Sequence, residues 1–232
     1  MDIGFSNTFS LVIAHDKGFP LLVVSTTDLH LAKNPVQGFL AVQKTSPLRV
    51  AKDFNGKTLG VPGLGNTTYY ALRKWIDKNG GDSNSVKYVE LGIPTIGDAI
   101  IANRVDAGSL DSANMFDVRA RASLREIAST YDAIAPKFMA GAWFSAPAWL
   151  DANRDAAGRF VAAIDRASAW ANTHHAEAVR IYAKHSKFSV ADLESGPRPV
   201  FDPSTSAPDL LQPVIDLAAS TERSSSASMP RR

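Results

Sequence analysis

The stretch Gly56 to Ile76, "GKTLGVPGLGNTTYYALRKWI", contains a change of period that decides the fold. Lys57 to Val61 is a short β-type run, broken at Pro62 and followed by Gly63 and Gly65. From Thr67 to about Asn79 the pattern is helical. Tyr69, Leu72 and Ile76 form its apolar stripe, and Gly80-Gly81 stops it. Strand, glycine turn and helix is the layout that offers backbone N–H donors to an anionic group.

Three kinds of ligand compete for such a turn. A dinucleotide would use Gly63 and Gly65, with Glu90 ending the next strand where a ribose-binding acid belongs. The third glycine position, however, is Thr68, and Pro62 opens the turn. A nucleoside triphosphate would need a Gly-Lys-Ser/Thr sequence that does not follow. One carboxylate, sulfonate or phosphate-sized group needs less: Gly65 in the turn, then Asn66, Thr67 and Thr68 placing an amide and two hydroxyls at a helix N-terminus. The same residues suffice to cap their own helix, and both roles stay open.

Upstream, "GFSNTFS" repeats the arrangement. A strand ends at Phe5, and Ser6-Asn7-Thr8 open a helix with Ser6 as the expected cap and Gly18 as the stop. "FPLLVVS" and "GFLAVQK" (Gly38 to Lys44) read as buried strands. Downstream come strand "VKYVEL", helix "TIGDAIIANR" with Ile96, Ala99 and Ile100 inward, strand "VDAGSL" and a helix over "ANMFDVRARA". Strands alternating with helices give an α/β class with mainly parallel sheets. Ligands of open α/β sheets lie beyond the carboxyl ends of the strands, which makes Asp111 and Ser112 candidates, although either also serves as a helix cap. In "KFMAGAWFSAPAWL" the chain returns between two α/β blocks, and Trp143 there sits where a cleft would lie. Asp151 to about His185 is helical, with Phe160, Ala163, Ile164, Ala167, Trp170 and Ala171 on one expected face. Residues 221–232 read as a disordered tail.

Composition narrows the function. The 232 residues suffice for one large domain or two lobes, and a net charge of +2 without a basic cluster argues against nucleic acid. There is no cysteine, which excludes disulfides, thiolate metal sites and cysteine nucleophiles. No apolar run approaches the roughly 18 residues of a membrane span. "MDIGFSN" lacks the basic and apolar regions of a secretory signal. His174 and His175 are adjacent and carry no metal-site pattern, and no nucleophile elbow or paired-carboxylate spacing appears. No catalytic residue, metal or cofactor is expected.

The ordered set "DIGFSNTFSLVIAHDKGFPLLVV", "DFNGKTLGVPGLGNTTYYALRKWI" and "AIIANRVDAGSL" resembles the nitrate/sulfonate/taurine (SsuA/THI5-like, NMT1-type) family of ABC-transporter substrate-binding proteins. The resemblance runs from Asp2 to about Leu110 and loosely to about Ala183. It implies a type II periplasmic-binding-protein fold: two α/β lobes joined by two crossing strands, near Phe39–Lys44 and Phe138–Phe144, closing over a ligand. Lobe 1 would be residues 1–44 and 138–220, and lobe 2 residues 45–137. By the same resemblance the ligand touches Ser6 and Asn7 on one lobe, and Asn66, Thr67 and the Asp111-Ser112 loop on the other. Family members open with a signal and a strand-helix unit of about 30 residues that this chain does not contain, so an N-terminal truncation is expected. After "VDA" they place a Glu-Pro pair where Ser112-Ala113 stand here.

The expected function is capture of a small, anionic organic solute for an ABC importer. The protein would be a monomer that meets a permease, located in the periplasm or at the cell surface. The competing readings are a thiamine-pyrimidine synthase, which the absence of cysteine opposes, an NAD-dependent enzyme, and the ligand-binding domain of a regulator.

Overall fold

The computed structural model describes residues 2–34, 37–111, 122–201 and 208–227. The chain divides into two compact units. Unit 1 comprises residues 1–29, 137–174 and 200–232, and unit 2 comprises residues 30–136 and 175–199. These divisions fall at different residues from those of the lobes expected from the resemblance.

Unit 2 is built on a five-stranded sheet of order β6-β5-β7-β4-β8. Its strands are β4 (Gln37–Gln43), β5 (Thr58–Val61), β6 (Lys87–Glu90), β7 (Ala107–Asp111) and β8 (Leu124–Ser129). β5 pairs in parallel with both β6 and β7, and β4 pairs antiparallel with β7 and β8. The parallel part expected from the alternating pattern is therefore β6-β5-β7, and the sheet as a whole is mixed. β4, expected at a crossing, is an inner strand of this sheet. Its run Phe39-Leu40-Ala41-Val42 is buried throughout because both faces are covered. Leu40 and Val42 join Leu59, Val61, Leu72 and Ile76 under helix α2 (Thr67–Lys78), whereas Phe39 and Ala41 join Ile96, Ala99 and Ile100 of helix α3 (Ile93–Ile101). α3 lies so close to the sheet that a Cβ on Gly108 would meet Ile96 Cγ2 at 2.5 Å.

Unit 1 has a three-stranded antiparallel sheet, order β1-β10-β2, of β1 (Gly4–Asn7), β2 (Leu22–Thr26) and β10 (Gly141–Ser145). One face packs Val23, Ala142 and Phe144 with Leu11 of α1 (Thr8–Asp16) and with Leu210. Leu210 belongs to the last helix, which runs from Pro208 to Ala227 and so includes residues 221–227 of the expected tail. The long helix Arg154–Thr173 has its buried positions at Ala157 and Ser168. Ala163, Ala167 and Trp170, expected on the inner face, are exposed. Short strands β3 (Leu29–Leu31) and β9 (Lys137–Met139) lie where the chain passes between the units. The helix expected over residues 113–122 lies almost wholly outside the described residues.

Candidate functional site

In unit 2 the candidate residues gather at one end of the sheet. β5 runs out at Val61 beside Glu90 of β6, with which it is in register, and β7, parallel to β5, ends at Asp111. Between β5 and α2 the chain reverses through Gly65 at φ +89°, a left-handed conformation that favours glycine. A Cβ there would meet nothing within 4 Å, so the turn is open at this point. Asn66 is the N-cap of α2: its Oδ1 accepts the Tyr69 N–H at 2.9 Å. The capping role left open by the sequence is thus filled, and that oxygen is occupied.

The hydroxyl residues after the cap differ in setting. Thr67 is buried at 1% exposure, while Thr68 is half-buried with Oγ1 2.9 Å from the Tyr131 hydroxyl. Glu90, expected as a ribose acid under the dinucleotide reading, instead accepts the Leu64 backbone N–H at 3.1 Å. One donor of the glycine turn is thereby used by the chain itself. Asp111 is half-buried at the end of β7, opposite Gln37 in the ladder. Ser112 lies outside the described residues.

Tyr131, whose hydroxyl meets Thr68, carries no local sequence signal. It lies in a 3₁₀ turn, Thr130–Ala133, directly after β8, and is 3% exposed. Its ring stands edge-on to His30, with centroids 5.5 Å apart. His30 Nε2 is 2.8 Å from Asp132 Oδ1. Burial pushes the His30 imidazole below its ordinary pKa, against the upward pull of Asp132. Glu126 is exposed on β8, yet partial desolvation by its neighbours, helped by the nearby Asp132 charge, pushes its carboxyl up.

In unit 1, Ser6 is a strand residue paired with Ala142, and the helix cap falls one residue later than expected. Asn7 Oδ1 accepts the Ser10 N–H at 2.9 Å. The reason is the ladder: β1 stays paired with β10 through Asn7 opposite Gly141, so the helix begins only at Thr8. Thr8 is buried and donates to the Met139 carbonyl at 2.7 Å, which anchors that entry to β9. Trp143 is half-buried in the middle strand, its ring 5.7 Å from Phe5 and 5.2 Å, edge-on, from Phe160. Among the described residues no group of three or more His, Cys, Asp or Glu side chains could hold a metal ion, and no helix is long and apolar enough to cross a membrane.

The family model described as NMT1/THI5 like matches residues 1–178. The chain belongs to the NMT1/THI5-like family. Comparison with curated proteins finds no match. Among solved structures, this NMT1/THI5-like chain is similar to the alkanesulfonate-binding protein SsuA of Xanthomonas axonopodis pv. citri bound to MOPS. The identity is 18% and the TM-score 0.76, over 100% of this chain and 77% of that one. The periplasmic aliphatic sulphonate binding protein SsuA of Escherichia coli gives 16% identity and a TM-score of 0.73, over 96% and 71% of the two chains. The ligand-binding component of an ABC-type import system from Staphylococcus aureus, with zinc bound, gives 16% and 0.76, over 96% and 75%. At these identities the likeness establishes the fold, that of the periplasmic binding proteins.

Proposed function

We infer that this chain is a solute-binding component of an ABC importer that captures a small, anionic organic solute, sulfonate-like in size and charge, without covalent chemistry. The observation that carries the reading is the polar helix entry repeated in each unit. Ser6 and Asn7 precede α1, and Gly65, Asn66, Thr67 and Thr68 lead into α2, both at strand ends. Such entries present backbone N–H groups and the positive end of the helix dipole to an anion. Family membership and the SsuA-like fold support the same reading, and the names of the sulfonate-binding neighbours support a sulfonate over other anions. Asp111, at the same end of the sheet as the α2 entry, is assigned to the same solute. The partner is an ABC permease, the protein acts as a monomer, and its place is the periplasm or cell surface.

A thermal-shift panel of ethanesulfonate, taurine, nitrate, short carboxylates and pyrimidines tests this. A ligand at 100 times its Kd stabilises by about 2.7 kcal/mol, which for a chain of this size raises Tm by roughly 5–10 °C. The expected result is such a rise for at least one oxyanion. A flat panel, or a rise with pyrimidines alone, would overturn the reading.

A further inference from the structure

Tyr131 meets the proposed site through its hydroxyl, and its ring is held on other sides. Gly38, at φ +73°, brings its backbone so near the ring that a Cβ would stand 2.4 Å from Tyr131 Cδ1. Thr130, fully buried, donates to the Gly38 carbonyl at 2.9 Å and fixes the same turn to β4. On another side the ring meets His30, itself held by Asp132, and Ser129 Oγ donates to the same Asp132 oxygen at 3.2 Å. A ring held this way delivers its hydroxyl to a fixed point, and that point is 2.9 Å from Thr68 Oγ1.

Resting on the solute-binding reading above, we propose that Tyr131 is a positioning residue that orients the Thr68 hydroxyl so that it donates to an oxyanion solute. A phenol is a far better proton donor than an aliphatic alcohol, so the bond runs from the Tyr131 O–H to Thr68 Oγ1. With its oxygen accepting, the Thr68 hydroxyl has its own proton left to give. It stands at the second position of α2, where the helix dipole also favours negative charge. The pair therefore favours hydrogen-bond acceptors: an oxyanion meets the Thr68 proton beside the positive end of the helix, whereas a solute bringing a donor meets only the remaining lone pair of Thr68 Oγ1. Pre-aiming matters because a side chain already ordered by its neighbours loses no further rotamer freedom when ligand binds.

The experiment is calorimetric titration of ethanesulfonate into the wild-type chain, Tyr131→Phe, Thr68→Val and the double variant, with Tm recorded for each. Phe keeps the ring against Gly38 and His30 and removes only the hydroxyl. Tyr131→Phe is expected to weaken binding about tenfold. The double variant is expected to bind no more weakly than Thr68→Val alone, because both act through one hydroxyl. A purely structural role would lower Tm and leave Kd unchanged, and that result overturns the proposal, as do additive effects on Kd. Where another oxyanion of the thermal-shift panel binds more tightly, the same titrations use that oxyanion. Absence of wild-type binding to every panel oxyanion overturns the solute-binding reading and this inference with it. Wild-type binding that Tyr131→Phe leaves intact overturns this inference alone.

Discussion

Gly38→Ala tests the lock on Tyr131 with a single methyl group. Two costs add at this position. Placing a Cβ at φ +73° costs about 1–2 kcal/mol. That Cβ also falls 2.4 Å from Tyr131 Cδ1, within a ring that is 3% exposed, so ring or strand must move, at about 1–3 kcal/mol. The sum, about 2–5 kcal/mol, is a large share of the roughly 5–15 kcal/mol that holds a typical domain together, and it corresponds to a fall in Tm of roughly 4–20 °C. Gly56 supplies the control: it has φ +70° and nothing within 4 Å of the position a methyl would take, so Gly56→Ala incurs the backbone cost alone. Urea unfolding of both variants by circular dichroism isolates the steric cost as their difference, about 1–3 kcal/mol. If Gly38→Ala costs no more than Gly56→Ala, the ring is not held against β4 and the reasoning fails.

Two further predictions concern the helix entries and pH. Asn66→Ala and Asn7→Ala each remove the oxygen that accepts a first-turn N–H and should each cost about 1 kcal/mol in urea unfolding. Equal stability to wild type would show that these caps are replaced by solvent at no cost. His30 is held neutral in the fold by burial, its pKa depressed below 6.5, so between the folded value and 6.5 the unfolded chain binds a proton that the folded chain does not. Its contribution is therefore complete above about pH 6.5 and is lost as pH falls through that window. Glu126, with its carboxyl pushed up, acts with the opposite sign, losing its contribution as pH rises from 4.5. A pH series of melts for wild type and His30→Gln separates the two: the variant's Tm should decline less steeply below pH 6.5, and an unchanged slope would contradict the assignment.

What could be read from sequence was local. α2 was legible because cap, stripe and stop lie close together in the chain: Asn66, then Leu72 and Ile76 inward, then Gly80 at φ +83°. The apolar run of β4 announced a strand buried on both faces, but its inner place depends on ladders with β7 and β8, far downstream. Ser6 and Asn7 were exchanged as caps because pairing with β10 holds β1 extended one residue longer than its composition suggests. On the long helix, alanines gave the stripe no weight, and the buried line turned out to pass through Ala157 and Ser168 instead of Trp170. Tyr131 left no trace, since its partners His30, Gly38 and Thr68 are distant in the chain.

The central claim is that the α2 entry takes part in binding a small oxyanion. Calorimetric titration of the intact chain with the panel member that raises Tm most measures it directly. One saturable site per chain is predicted, weakened about tenfold or more in Thr68→Val while that variant melts within a few degrees of wild type. No saturable heat, or saturable binding indifferent to Thr68→Val, would contradict the account.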